Sequence, residues 1–500
     1  MRILKNNSKT WAICNMERSL TTLISISLTG ALIGKGFDYS INLIIARSIG
    51  PEALGIFSFG LVVVNLLSNI SQSGLDNAAQ KFIAKYRSQN RPNVVTGIVL
   101  FTLLGGLIAG STITLIFYAV VRLDLLPGTR SISSPVLLFV ISVPLFATMR
   151  ICTNITHGFK QTKYAVYIDD FAKSGVAIIL CGVSIITVST VEGVILGYIL
   201  AVVIANITGV YSIWKLGGFN QFFSPVIKFR EIITLSLPST VINITQYTLN
   251  MSGILLLGIF KGSETVGFFQ ASLQNALLLT FLLLSVNSIF PTLASEYFYD
   301  DKIDTLRETY NTLTKWMLYL CFMLYIYIIV FSSEILTLFG SGFTRSATPL
   351  IILGFGTFAM TVIGPAGQLL LMTGYERLEA LNTAISCALA IILGLLLIPN
   401  YGLLGASAST ALAMFSLSAL RLVQVHFFYD IQPYDRHQLR TLGTLLLSGG
   451  ILIIYRRLDI SLVPKLILGG ILLVLPFLIQ LSIYGIDESD RKLIQNINDI

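Results

Sequence analysis

The sequence predicts an all-α, polytopic membrane protein with about fourteen transmembrane helices. Three observations predict it. Hydrophobic residues make up 54% of the 500-residue chain and charged residues only 12%, about half the roughly 25% with which a soluble domain covers its surface. The mean hydropathy is +0.80. Apolar runs of about 20 residues, enough to span a bilayer, recur evenly, near 21–46, 54–76, 95–121, 135–157, 171–190, 193–214, 232–260, 266–290, 312–333, 348–373, 380–399, 403–424, 440–456 and 464–485.

The first span follows Arg2, Lys5, Lys9 and Arg18. It is too long for a signal-peptide core and has no small-residue cleavage site, so it reads as a membrane helix. The third span carries Gly106 and Gly110, and the twelfth Gly405, Ser409 and Ala413, at the spacing that lets helices approach closely. Pro144, Pro238 and Pro365 fall in the fourth, seventh and tenth spans, as static kinks or bending points. The polar stretches 77–94 and 291–311 read as amphipathic connectors. The final pair is short.

Lys and Arg set the orientation. With the N-terminus inside, the inner segments hold 23 of these residues and the outer ones 8. Both termini are therefore expected in the cytoplasm, and the net charge of +8 is an orientation signal rather than a nucleic-acid footprint. Arg456, Arg457 and Lys465 break the rule in the last outer loop. Cys14, Cys152, Cys181, Cys321 and Cys387 form no CxxC pair and read as reduced core residues. His157, His426 and His437 are scattered, so no metal site or cofactor is expected.

The chain repeats itself. "GPEALGIF" at Gly50 answers "GSETVGFF" at Gly262, an offset of 212. Ser27-Leu28 and Ser236-Leu237, "VAIIL" at Val176 and "LAIIL" at Leu389, and "THGF" at Thr156 and "MTGY" at Met372 keep nearly the same offset. The reading is two six-helix pseudo-symmetric lobes plus two C-terminal helices: an N-lobe at 1–220, a C-lobe at 221–430, and a helix pair with tail at 431–500. Even-numbered repeats share one topology, with a site at their interface.

Charge at membrane depth costs a few kcal/mol per residue, so each one is a functional candidate. Lys35 and Asp38 share a face of the first span with Asn42; they bind something or neutralise each other. Arg150 shares a face with Asn154 and His157. Asn65, Asn69, Gln72 and Asp76 make a polar stripe along the second span. The later spans read as polar but uncharged, with Asn243, Gln246, Asn250, Gln270, Gln274 and Gln368. Amides suit hydroxyls, and Lys or Arg suits phosphate. Substrate-binding candidates are Lys35, Arg150, Asn65, Asn69, Gln72, Asn154, Gln246, Asn250 and Gln270; Asp38 is the candidate for ion coupling. No GxxxxGK[ST], HExxH or GxSxG element occurs, and Asp169-Asp170 diverge by about 100° on an α-helix, a poor catalytic pair.

"ARSIGPEALGIFSFGLVVVNLLSNISQSGLDNAAQKFIAKYR" (46–87), "ILTLFGSGFTRSATPLIILGFG" (335–356), "LLLMTGYERLEALNTAISCALAIILGLLLIPNYGLLGASAST" (369–410) and "SLP" at Ser236 resemble the polysaccharide transporter family. These are the O-antigen flippase-like members of the multidrug/oligosaccharidyl-lipid/polysaccharide superfamily. The resemblance covers roughly 20–485. It implies a two-lobed bundle with a central cavity that exports polyprenyl-diphosphate glycan, with Lys35 and Arg150, and more weakly Arg47, meeting the diphosphate. It also implies a bilayer setting, a cell-membrane location, and a polysaccharide polymerase and glycosyltransferases as partners. Many members carry an Asp late in the seventh span; here "LNMSGILLLG" (249–258) has none. The expected function is a flippase for lipid-linked oligosaccharide working by alternating access, and not an enzyme. The rivals are a cation-coupled multidrug or metabolite antiporter, a lipid II flippase, and a membrane glycosyltransferase, which lacks the extramembrane loop it would need.

Overall fold

The computed structural model describes residues 29–123, 134–222, 224–434 and 438–484. The N-terminal cations, Cys14, Ser27-Leu28, Arg130, Arg436, His437, Arg491 and Lys492 lie outside the described residues. Two compact units divide the chain, 1–267 and 268–500.

Every regular element among the described residues is a helix. The first unit holds α1 (29–48), α2 (Pro51–Gln72), α3 (Leu75–Ser88), α4 (Pro92–Arg122), α5 (Ser134–Val140), α6 (Val143–Gly158), α7 (Thr162–Val166), a π-helical segment (Tyr167–Gly175), α8 (Val176–Thr187), α9 (Val191–Lys215), α10 (Phe229–Phe260) and the start of α11 (Ser263–Ala276). The second unit continues with α12 (Phe281–Tyr299), α13 (Ile303–Thr337), α14 (Ala347–Val362), α15 (Ala366–Met372), α16 (Glu376–Tyr401), α17 (Leu403–Tyr429), α18 (Gln438–Arg456) and α19 (Leu462–Tyr484).

Ten of the described helices are long and apolar enough to cross a membrane, eleven if α5 and α6 count as one span bent by 41°. The expected fourteen is not confirmed as a count. α1 keeps Lys35, Asp38 and Asn42, and α10 keeps Asn243, Gln246 and Asn250, which lower their mean hydropathy. The outward faces are apolar: Leu115, Ile186, Leu447 and Ile454 are 71, 84, 74 and 72% exposed. Such surface is stable only against lipid.

Pro144 and Pro365 do not kink continuous helices; each sits at a break. Pro144 opens α6 after the Ile141-Ser142 turn, and Pro365 caps α15 after Gly364, whose φ of 71° is left-handed. Proline has no N–H to donate, so each break frees carbonyl oxygens, and side chains cap several of them. At the first break Ser142 donates to Phe139 O (2.6 Å) and Thr114 to Val140 O (3.5 Å); at the second Tyr310 donates to Ile363 O and Tyr434 to Val362 O (3.3 Å).

The small-residue stripes seat neighbours. A Cβ at Gly110 would lie 2.6 Å from Pro144 Cα, and one at Gly405 would overlap Leu397 O. Cys152, Cys181, Cys321 and Cys387 are buried free thiols. α18 and α19 dock on α13 through Phe331, Leu452, Leu473 and Phe477. Arg456 there is paired with Glu334 at 2.6 Å. Part of the excess positive charge in the last loop is thus neutralised.

α3 joins α10 at an exposed contact. Tyr86 donates to Glu231 Oε2 (2.6 Å) and Lys85 approaches the same oxygen (3.3 Å). The Tyr86 hydrogen bond holds the Glu231 carboxyl below its ordinary value of 4.5. A carboxyl with a lowered pKa stabilises the fold above its ordinary pKa, and that contribution is lost as pH falls through the folded-state value. The melting-temperature difference between the native chain and Glu231→Gln is therefore expected to be constant above about pH 5 and to close in more acid detergent solution. Gly405→Ala is expected to cost about 1–3 kcal/mol through overpacking, read as a lower detergent melting temperature. Gly443→Ala, whose Cβ meets open space, serves as the silent control.

Candidate functional site

α2 is an apolar helix with one polar face. Asn65, Asn69 and Gln72 fall on it at spacings of four and three, which aligns them. α6 brings Arg150 against that face. Its guanidinium donates through Nη2 to Asn65 Oδ1 (2.9 Å) and through Nη1 to Asn69 Oδ1 (3.0 Å). Asn65 donates its own amide to Leu61 O (2.8 Å), which fixes which end of the amide faces the cation. Asn154, one turn along α6, donates to Arg150 O (3.2 Å) and to Asp76 Oδ2 (3.4 Å). Five of the residues singled out in the sequence line this pair of helices; Asp76, read as the end of the second span's stripe, instead lies in the first turn of α3, because α2 ends at Gln72 and the Ser73-Gly74 turn re-aims the chain.

Arg150 is half-buried, and its hydrogen-bonded partners are neutral oxygens. Its other guanidinium N–H groups have no protein partner among the described residues. The cation is held in place with its charge uncompensated by any hydrogen-bonded carboxylate. Nearby polar atoms are also unfilled: Gln72 Nε2 and Asp76 Oδ1 are buried without a hydrogen-bond partner. Buried polar atoms of this kind need an explanation. A planar donor fork with spare N–H groups is suited to phosphate oxygens.

α1 presents a second group. Lys35 is exposed and Asp38 half-buried, and among the described residues the two make no ion pair. The neighbouring element is the π-helical segment. Its Asp170 carboxylate occupies the space a side chain would need at Gly34, and Lys173 pairs with Asp169 at 3.5 Å. The sequence reading took Asp169-Asp170 only as a poor catalytic pair, just ahead of a fifth span drawn from 171; the observed span starts at Thr162 and so takes in all three charges. The wider π turn also places residues five apart in line, as when Ser174 donates to Asp169 O.

Gln246 is exposed, and Asn250 and Gln270 are half-buried; none has a side-chain hydrogen bond among the described residues. Gln270 belongs to the second unit. The later spans are not uncharged, contrary to the sequence reading. Glu379, in the first turn of α16, grips Arg421 of α17, with Nε at 3.1 Å from both carboxylate oxygens. Their side chains are 10 and 15% exposed. Beside them Asn382 and Gln424 exchange reciprocal amide bonds of 2.6 and 2.8 Å.

A family described as "Polysaccharide biosynthesis protein" matches residues 21–296. The chain belongs to that family. It is thereby a member of the superfamily that joins polysaccharide exporters to the MATE transporters, and the MatE family also matches residues 238–396. A probable low-salt glycan biosynthesis flippase of Haloferax volcanii is 28% identical over 223 residues, 44% of this chain. That match spans 47% of the relative's own length. An uncharacterized membrane protein of Methanocaldococcus jannaschii is 22% identical over 78% of this chain and 81% of its own. Among solved structures, lipid II flippase MurJ in an inward closed conformation has a TM-score of 0.72 at 14% identity, covering 93% of this chain and 98% of that one. An inward-facing multidrug resistance MATE transporter has a TM-score of 0.66 at 14% identity, covering 81 and 98%. The likeness to these structures is one of fold, and this family member is a multi-pass membrane protein.

Removing one partner of a buried ion pair strands the other, at about 3–5 kcal/mol. Arg421→Met is therefore expected to lower thermal stability in detergent more than Arg421→Met combined with Glu379→Gln, which removes both charges.

Proposed function

We propose that this family member flips a lipid-linked oligosaccharide, carried on a polyprenyl diphosphate, from the cytoplasmic to the outer leaflet by alternating access. The observation that carries the reading is Arg150, a half-buried guanidinium steadied by two amide oxygens with donors to spare. A diphosphate is the group such a donor set accepts. Asn65, Asn69, Gln72 and Asn154 around it match glycan hydroxyls. Lys35 supplies a second cation, and Asp38 the acid for ion coupling. Gln246, Asn250 and Gln270 are assigned to the glycan. The names of the Haloferax relative and of MurJ support a flippase.

Residues 1–220 and 221–430 are taken as the two lobes, and 431–500 as the added helix pair with its tail. The Lys/Arg asymmetry supports cytoplasmic termini in the cell membrane. A polysaccharide polymerase and glycosyltransferases are the proposed partners. The MatE match keeps one rival in view, a cation-coupled drug antiporter.

The test is a leaflet-resolved assay in proteoliposomes with labelled lipid-linked oligosaccharide. The native chain is expected to move label, and Arg150→Ala with Lys35→Ala to lose at least about tenfold in rate, since each charged contact contributes of the order of 1.5–3 kcal/mol. Unchanged translocation in the double variant removes the site assignment. Drug resistance of cells without glycan movement favours the rival.

A further inference from the structure

The two repeated motifs each open on a glycine turn, Gly50 with φ 109° and Gly262 with φ 88°, before α2 and α11 start at Pro51 and Ser263. Five residues after each turn glycine comes another glycine, Gly55 and Gly267, again 212 apart. Neither of these has an unusual backbone. Their reason is contact. A Cβ on Gly55 would overlap Ser263 O and come within 2.9 Å of Gly267 N; one on Gly267 would overlap Pro51 O and come within 3.2 Å of Gly55 N. Pro51 and Ser263 are themselves 212 apart. The contact is therefore its own image when the repeats are exchanged: each helix start rests a glycine on the other's first carbonyl. All four residues lie within the first compact unit.

The contact is dry. Leu54, Phe57, Ser58 and Val266 around it are 0, 2, 3 and 0% exposed. Among the described residues no side-chain hydrogen bond or ion pair joins the two helix starts, and the approach is of the Cα–H···O=C kind that glycine permits. Such a joint is tight yet can part without stranding a charge or a strong donor. By the Lys/Arg asymmetry it lies at the outer end of the helices. We propose that Gly55 and Gly267 form the outer gate seal of the transport cycle, closed in this structure and parted when the glycan leaves. The proposal rests on the flippase reading above. A purely static packing contact, like that of Gly405, would have no tie to transport or to one side of the membrane.

Ser58 lies one turn deeper on α2, buried, with its hydroxyl unpartnered, and Ser58→Cys reports on the seal. In sided vesicles, a membrane-impermeant maleimide applied to the outer face is expected to label this cysteine slowly, and faster during turnover of lipid-linked oligosaccharide. The chain without the added cysteine is the blank. Adding Gly55→Ala or Gly267→Ala, which keeps the seal from closing, is expected to raise outer-face labelling about fivefold or more and to lower glycan export. Gly182→Ala, whose Cβ meets open space, is expected to change neither.

Lower stability in the alanine variants with unchanged outer-face labelling overturns the seal. Should those variants not fold, the Ser58→Cys chain decides alone: labelling as fast as at exposed Glu52→Cys overturns the proposal, and slow labelling that turnover accelerates supports it. Raised labelling in the alanine variants of a chain that moves no glycan keeps the seal and removes the flippase reading.

Discussion

A backbone carbonyl inside hydrocarbon has no water to bond, and the rest of this structure follows from that constraint. Long helices satisfy it along most of their length. Where proline interrupts them, the protein supplies side-chain hydroxyls: Ser142 and Thr114 at the α5–α6 break, Tyr310 and Tyr434 at the α14–α15 break. Both breaks fall in spans that the sequence repeat equates. They are fixed features of the bundle, with their freed carbonyls accounted for, and this explains how irregular backbone survives at these positions.

The same constraint sorts the buried charges into two kinds. Arg421 is matched by a carboxylate and shares its surroundings with a closed amide pair, so its charge is internally cancelled. Arg150 is hydrogen-bonded by amide oxygens alone, and the carboxylate whose charge it feels, Asp76, is held by Asn154 rather than by the guanidinium. The first arrangement welds α16 to α17. The second leaves a guanidinium on α6 whose hydrogen-bond partners are all neutral, which is why the proposed function is built on it.

Much of this was legible in the sequence. Composition and evenly spaced apolar runs give the membrane helices, because lipid demands them. The stripe of Asn65, Asn69 and Gln72 was legible because helical spacing projects it onto one face, and Arg150 because a cation stands out in an apolar run. The pairings of Glu379 with Arg421 and of Asp169 with Lys173 were not: each of these residues sits near a span end, where hydropathy cannot tell a loop charge from one that folds back into the bundle. The exposed position of Lys35 was equally hidden, since periodicity gives a face and not what covers it. The proline breaks looked like kinks because a gap of two or three residues in a helix leaves the apolar pattern intact.

The π-helical segment at Tyr167–Gly175 accommodates one residue more than the α-helical path it replaces. Beyond it, every side chain of α8 is turned by about 100° relative to a chain lacking that residue. Comparison with any relative whose helix runs α-helical through this stretch would therefore call for a single-residue gap inside a membrane helix, a place where alignments ordinarily forbid one. Without the gap, Cys181 and the lipid-facing Ile186 would be equated with residues on the wrong side of their counterparts, and the lineage would look more diverged than its shape.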